Sequence, residues 1–330
     1  MQQITGFFKK KVLISGGLGF LGSNLAIKLV ELGAKVTIID SLIPEYGGNL
    51  WNINPIKDKV TVNISDVRDE HSMRHLIQGQ EYFFNLAGQT SHLDSMNNPF
   101  TDLDINAKSQ LSILEACRKY NPDIKVVFAS TRQLYGKPRY LPVDENHPVV
   151  PIDVNGINKM SGECYHIVYN QVYGIKTIIF RLTNTFGPRM RIKDARQTFL
   201  GIWVRNLIEN KPITIFGDGT QIRDYNYVDD VVEAFLNVEK YESWSGDIYN
   251  LGNNDPISLK STAELMIKEN NAGSFDFVDF PKELKKIDIG DYYCDYSKIS
   301  KHLGWTPQTS NCLGFKKTLK YFKENYEHYI

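Results

Sequence analysis

The chain has 330 residues, enough for two domains or for one large α/β domain with a smaller lobe. Its 38 basic and 38 acidic residues cancel, so no polybasic footprint points to nucleic acid or to an anionic membrane surface. Four scattered cysteines (Cys117, Cys164, Cys294 and Cys312) without a C-x-x-C pair fit reduced thiols in a cytosolic protein better than a disulfide framework or a zinc site. No apolar run approaches the roughly 18–20 residues that span a bilayer. The lysines near the N-terminus are not followed by a signal-like apolar core. A soluble, cytoplasmic protein without a metal site is the expectation.

The first apolar run, 12–15, leads into Gly16-Gly17-Leu18-Gly19-Phe20-Leu21-Gly22, and a helix-like stretch follows from Ser23. Glycines let the chain turn tightly and let backbone N–H groups approach a pyrophosphate on the positive end of the next helix. A second apolar run, 36–40, ends in Asp40, eighteen residues after Gly22. A carboxylate there accepts hydrogen bonds from the adenosine ribose hydroxyls and repels a 2′-phosphate, so the pattern reads as an NAD site rather than an NADP site. The spacing departs from the Gly-x-Gly-x-x-Gly of the older fingerprint. A glycine triplet alone is weak evidence; its place between two strand-like runs, followed by Asp40, makes it specific.

Further strand-like runs lie at 60–64, 82–86, 126–130 and 177–182, with helical stretches at 110–120 and 159–173. Strands separated by helices mean a parallel sheet covered on both faces. After Thr183 the alternation loosens, and Pro188, Pro212, Gly217-Asp218-Gly219, Pro256, Pro281 and Pro307 punctuate shorter elements. The expected fold is α/β: a Rossmann-type doubly wound parallel sheet over about 1–185 with a smaller C-terminal α/β substrate lobe over 186–330. Segments after 185 are free to return to the first domain.

Other segments carry a family likeness. They are Ser65-Asp66-Val67, Leu86-Ala87-Gly88-Gln89, Asn106, the run from Ala129-Ser130-Thr131 to Tyr135-Gly136, and Arg181-Leu182-Thr183-Asn184 through Pro188-Arg189. To these add Phe216-Gly217-Asp218-Gly219 through Arg223-Asp224 to Asp229-Asp230, and Leu303-Gly304-Trp305-Thr306-Pro307. Together they resemble the extended short-chain dehydrogenase/reductase family, the NAD-dependent nucleotide-sugar epimerases and dehydratases. The resemblance spans essentially the whole chain. It implies that Asp66 and Val67 hold the adenine and that Leu86, Ala87, Gly88 and Gln89 pass beneath the cofactor, with Asn106 in a helix nearby. It further implies that Asn184 touches a nucleotide-diphosphate sugar, that Thr131 stands at the reacting sugar, and that helices near 100–120 and 156–173 build a homodimer.

The family's catalytic helix carries Tyr-x-x-x-Lys, one turn apart on one face. Its tyrosine is the acid/base, and its lysine bonds the nicotinamide ribose while lowering the tyrosine pKa. The matching stretch here runs from Asp153-Val154-Asn155-Gly156 to Lys159 and Glu163, and the tyrosine position holds Asn155. An amide orients a hydroxyl or polarises a carbonyl, but it does not shuttle a proton at neutral pH. Asn155 is therefore expected to position the reacting hydroxyl, with Lys159 and Thr131 as the proton relay. Tyr135 and His92 are the other nearby acid/base candidates.

A second departure bears on the reaction. The family's 4,6-dehydratases need a carboxylate just after the Ser/Thr of the Tyr-Gly segment, and here those positions hold Arg132 and Gln133. An epimerase or C4 oxidoreductase, which needs only hydride transfer and one acid/base, fits better. The alternatives are a dehydratase, or a relative that binds NAD and nucleotide sugar without turnover. Arg223 matches the family's Gln-x-Arg-Asp motif and is the expected diphosphate ligand, since guanidinium grips phosphate with two N–H groups. Pairing with Asp224 or Asp229 is its bland alternative. The family's later diphosphate arginine is missing, with Lys285 and Lys286 nearby. Arg189, Arg191, Lys193 and Arg196 form a basic loop that either shapes the substrate pocket or is merely solvated.

Overall fold

The computed structural model describes residues 6–330. Seven strands form one parallel sheet: β1 (Lys11–Ser15), β2 (Lys35–Asp40), β3 (Thr61–Ile64), β4 (Tyr82–Asn85), β5 (Lys125–Thr131), β6 (Lys176–Leu182) and β7 (Ser245–Leu251). Their order is β3-β2-β1-β4-β5-β6-β7. The central strands are apolar nearly throughout because helices cover both faces. Along β1, Val12 and Ile14 enter one core layer and Leu13 the other, as the two-residue pleat requires.

Helices α1 (Phe20–Glu31), α2 (Glu70–Leu76), α3 (His92–Asn97), α4 (Pro99–Leu103), α5 (Ser109–Tyr120), α6 (Val154–Tyr173), α7 (Phe199–Ile208) and α8 (Val228–Asn237) follow in chain order. Leu25 and Leu29 of α1 share one layer with Phe235 of α8. Ile113, Leu114 and Cys117 of α5 share the other with Tyr169 of α6. Strand order reverses between β1 and β4, which opens a crevice at the carboxyl ends of the strands, where such sheets bind ligands.

The chain does return to the sheet after residue 185: β7 pairs with β6 at the edge. Asp247 and Asn250 interrupt its apolar pattern, which hid it from the sequence reading. The remaining segments build the lobe over the crevice from α7, the helices Leu259–Asn270 and Asn311–Asn325, and three two-stranded pairs. Phe186, Tyr225 and Phe315 join that lobe to the main core, with the Phe186 and Phe315 rings 4.5 Å apart.

Helix α6 begins five residues before the periodic stretch at 159. Asn155 and Gly156 are poor helix formers, but Asp153 Oδ1 accepts the Gly156 N–H at 2.7 Å and caps the first turn. The cap brings Asn155 onto the same helix as Lys159. Asn106 sits in a π-helical turn, Asp104–Lys108, between α4 and α5. Such turns often mark functional sites.

Candidate active site

The glycine turn after β1 needs its glycines. Gly16 has φ +67°, and a Cβ on Gly22 would lie 2.2 Å from the Gly16 carbonyl oxygen. Gly19 starts α1 without a side-chain cap, so first-turn N–H groups have no intrahelical partner. Gly16, Gly19, Phe20, Leu21 and Gly22 line one cleft together with Asp40, Asp66, Val67, Leu86, Ala87 and Gly88.

Asp40 Oδ2 accepts the Leu18 N–H at 3.0 Å, and Oδ1 accepts the Leu42 N–H at 2.9 Å. Burial pushes this carboxyl up, and the two amides oppose it. Burial also works against the Asp66 charge, but the Arg68 guanidinium, donating at 2.9 and 2.7 Å, holds that carboxyl below the usual range. Free helix N–H groups, glycine-only contacts and a carboxylate with lone pairs to spare fit an adenine dinucleotide. Asp40 and the first turn of α1 would hold its ribose and pyrophosphate.

The cleft continues into a cavity lined by Gln89, Thr131, Asn155, Lys159 and Asn184, with Phe20, Leu21, Leu86 and Gly88 shared between the two. Lys159 Nζ donates to the Ala129 carbonyl at 3.1 Å. Burial lowers its pKa to about 8, while Asp102 and Glu163 pull it back up. A Cβ on Gly88 would lie 3.0 Å from both Lys159 Nζ and Asn106 Oδ1, so the missing side chain keeps that approach open.

Asn155 is tied to a carboxylate that the sequence reading passed over. Its Nδ2 donates to Asp102 Oδ2 at 3.0 Å and to the Gln89 carbonyl at 2.9 Å. Asn106 donates to the same two acceptors at 3.0 and 2.9 Å, and Asn158 donates to Asp102 Oδ1 at 2.7 Å. Asp102 is fully buried. Two acceptors on one side of the Asn155 amide fix its orientation, and Oδ1 has no hydrogen-bond partner among the described residues. Position 155 thus offers the cavity an acceptor.

Tyr135 lies elsewhere. It is buried, its hydroxyl donates to Asn250 Oδ1 at 2.8 Å and accepts from Arg181 Nη1 at 2.8 Å, and burial pushes its pKa up. Arg181 in turn pairs with Glu163 at 2.6 Å.

Thr131 Oγ1 accepts the Gln133 N–H at 3.2 Å. Arg132 Nη2 donates to Asn184 Oδ1 at 2.9 Å, and Gln133 Nε2 donates to Asp153 Oδ2 at 2.8 Å. His92, Arg132 and Asn184 also line a cavity of about 820 Å³ that runs under the lobe, walled by Phe199, Trp203, Phe216 and Phe280. Arg223 lines it as well. Its partners are Asp288, 3.3 Å away, and the Ile222 and Gly290 carbonyls, rather than Asp224 or Asp229. Of the basic loop, Arg196 reaches this cavity, whereas Arg189 binds the Asn52 carbonyl and Asn24 at 3.0 and 2.9 Å.

Residues 12–252 match the model of the NAD dependent epimerase/dehydratase family. The chain belongs to that family. A Methanocaldococcus jannaschii protein named "Putative UDP-glucose 4-epimerase" is 35% identical over 317 residues, which cover 95% of this chain and 99% of that one. The UDP-glucose 4-epimerase of Thermotoga maritima, solved with UDP-glucose, superposes with a TM-score of 0.87 at 30% identity, covering 96% and 99% of the two chains. The UDP-glucuronic acid 4-epimerase of Bacillus cereus, solved with UDP-glucuronic acid and NAD, gives 0.85 at 27% identity over 96% and 100%. As an NAD dependent epimerase/dehydratase, this protein uses NAD as its cofactor. Among its described residues, no helix is long and apolar enough to cross a membrane.

Asp102, Asn158 and Asp153 are the family member's polar residues that the sequence reading missed. Their signal was present: Asp102 and Asn106 stand four apart, and Asn155 and Asn158 three apart, each pair on one helical face.

Proposed function

We propose that this protein is a nucleotide-sugar epimerase or C4 oxidoreductase of the cytoplasm, in which Asn155 occupies the place of the family's tyrosine. One observation carries the choice over dehydration. Next to Thr131, where elimination calls for a carboxylate, Arg132 is turned to Asn184 and Gln133 to Asp153. Neither side chain can remove a carbon-bound proton and deliver it to a leaving hydroxyl.

Bound in the cleft, NAD would supply an acceptor for hydride from the sugar carbon and a donor for its return. The glycine turn, Asp40, Asp66, Val67 and the 86–89 turn would hold it, with Asn106 steadying Gln89 and Lys159 available to its nicotinamide ribose. Asn155 Oδ1 accepts a hydrogen bond from the reacting hydroxyl and sets its direction. Thr131 touches that hydroxyl and passes its proton, and the Lys159 charge favours loss of hydride. Arg223 and Asn184 take the substrate's diphosphate and sugar in the large cavity, and its aromatic walls suit a nucleoside base.

The described residues up to 185 form the cofactor domain together with the returning β7, and the lobe within 186–330 binds substrate. A homodimer through α5 and α6 is part of the proposal: Leu111, Val168 and Val172 are exposed along these helices, with Phe100 nearby on α4.

The test has two readings. Protein purified without added NAD should release nicotinamide dinucleotide on denaturation. UDP-, dTDP-, GDP- and CDP-hexoses should then be screened for thermal stabilisation and for conversion to an epimer. An empty protein that also refuses added NAD overturns the proposal. So does a protein that is stabilised by a nucleotide sugar yet never converts one.

A further inference from the structure

Asn155 can aim the reacting hydroxyl but cannot keep its proton, so the site needs an acid/base that the family motif does not provide here. We infer that His92, backed by Asp153, is that group. The inference rests on the epimerase reading above.

His92 opens α3 and lines both the cavity that holds Thr131, Asn155 and Lys159 and the larger substrate cavity. It therefore stands where the two meet. Its Nδ1 lies 3.0 Å from Asp153 Oδ2, an ion-pair distance without the alignment of a linear hydrogen bond. Catalytic contacts often tighten only when substrate arrives.

The Asp153 side chain is completely buried. Its Oδ1 is held by the Gly156 N–H at 2.7 Å and its Oδ2 by Gln133 Nε2 at 2.8 Å. Burial opposes its charge, but His92, Gly156 and Gln133 outweigh it and keep the carboxyl below its usual range. A fixed, ionised carboxylate beside Nδ1 keeps the ring proton there, which leaves the lone pair on Nε2. Nε2 has no hydrogen-bond partner among the described residues, and the side chain is 37% exposed, so the ring is not sealed away.

The competing groups are already engaged. Lys159 Nζ donates one N–H to the Ala129 carbonyl and is assigned to the nicotinamide ribose above, and the Tyr135 hydroxyl is committed to Asn250 and Arg181. Thr131 relays a proton but does not retain one at neutral pH. Asp153 also links the two halves of the site: it caps the helix that carries Asn155 and Lys159, and it faces the imidazole.

The step balances. The sugar carbon loses its C–H bond and that electron pair as hydride to NAD⁺. The hydroxyl O–H bond breaks, its electrons form the second bond of the carbonyl, and the proton passes to His92 Nε2. Asp153 offsets the imidazolium charge. On return, hydride restores the C–H bond on either face and the oxygen regains the proton from His92.

The experiment compares holoenzyme variants on whichever nucleotide hexose the wild type converts. His92→Gln should lower kcat by about 100- to 10,000-fold, the usual worth of a general acid/base, with the NAD content and KM close to wild type. Added imidazole should restore part of the activity of His92→Ala and none of that of Lys159→Ala. Asp153→Asn keeps an acceptor for the Gly156 N–H at the helix cap, so the protein should still fold and retain NAD while kcat falls. If His92→Gln keeps kcat within a few-fold of wild type while Lys159→Ala loses it, the assignment to His92 is wrong and the epimerase reading stands. If the wild type converts none of the sugars, the epimerase reading fails, and the acid/base assignment fails with it.

Discussion

Truncating Asn155 to alanine should destabilise the fold as well as slow the reaction, because its amide is part of the shell around a buried charge. The side chain donates to Asp102 Oδ2 at 3.0 Å and to the Gln89 carbonyl at 2.9 Å. A hydrogen bond to a charged group is worth about 1.5–3 kcal/mol and a neutral one about 0.5–1.5 kcal/mol, so the loss amounts to about 2–4.5 kcal/mol. Asp102 would retain only the Asn106 and Asn158 amides. Urea unfolding of the NAD-free protein at fixed pH measures this directly.

A double-mutant cycle with Asp102→Ala isolates the charged bond. With the carboxylate gone, Asn155→Ala should cost only about 1 kcal/mol, the worth of the remaining neutral bond. Strictly additive effects, or an Asn155→Ala variant within 0.5 kcal/mol of wild type, would refute the reasoning. The same shell explains why Asn155→Tyr should abolish turnover rather than improve it. A phenol offers one donor in place of two, so either Asp102 or the Gln89 carbonyl loses a partner.

Lys159→Ala should lower kcat more than Asn155→Ala does, since one removes a charge at the reacting centre and the other a positioning contact; steady-state kinetics on a converted sugar compares them. Burial pulls the Lys159 pKa from 10.5 to about 8, so between those values the unfolded chain binds a proton that the folded chain lacks. Stability therefore gains from this residue as pH rises through that window, and Lys159→Met should lose that gain in unfolding curves taken from pH 7.5 to 10.5. Gly22→Ala places a Cβ 2.2 Å from the Gly16 carbonyl oxygen and should abolish retained NAD, read by mass analysis of the denatured protein. Arg223→Met should weaken nucleotide-sugar binding about 10- to 100-fold, the loss of a charge-assisted bond, with the NAD content unchanged by the same mass analysis.

The Rossmann half was readable because its strands are short apolar runs buried on both faces, and the glycine turn has few alternative uses. All six strands expected from the sequence are present, along with the cleft residues from Gly16 to Gly88 that line one surface. β7 was not readable, because an edge strand carrying Asp247 and Asn250 draws its stability from pairing and from buried polar contacts rather than from an apolar pattern. Periodicity alone placed the start of α6 late, at 159, because Asp153 fixes a turn that the propensities of Asn155 and Gly156 oppose; the family resemblance placed it near 156.

The site divides along the same line. Thr131, Asn155 and Lys159 line one cavity, as the family resemblance implied. Asp102 reaches Asn155 from 53 residues away, and His92 reaches Asp153 across 61, distances in sequence that only the tertiary fold closes. Arg223 shows the converse. The sequence marked it as a cation for phosphate, and the folded chain gives it Asp288 and two carbonyls as resident partners, so a diphosphate must compete with them.

The most direct test of the central claim, hydride transfer without a tyrosine at position 155, follows one labelled atom. UDP-, dTDP-, GDP- and CDP-hexoses deuterated at C4 are incubated in turn with the holoenzyme, and any product is analysed by mass spectrometry and NMR. The account predicts conversion to the C4 epimer with deuterium still at C4, because the hydride leaves and returns within one closed site while only the hydroxyl proton exchanges. Conversion with the label lost to water would contradict it, and so would failure of every one of these C4-labelled nucleotide hexoses to be converted by an NAD-loaded protein.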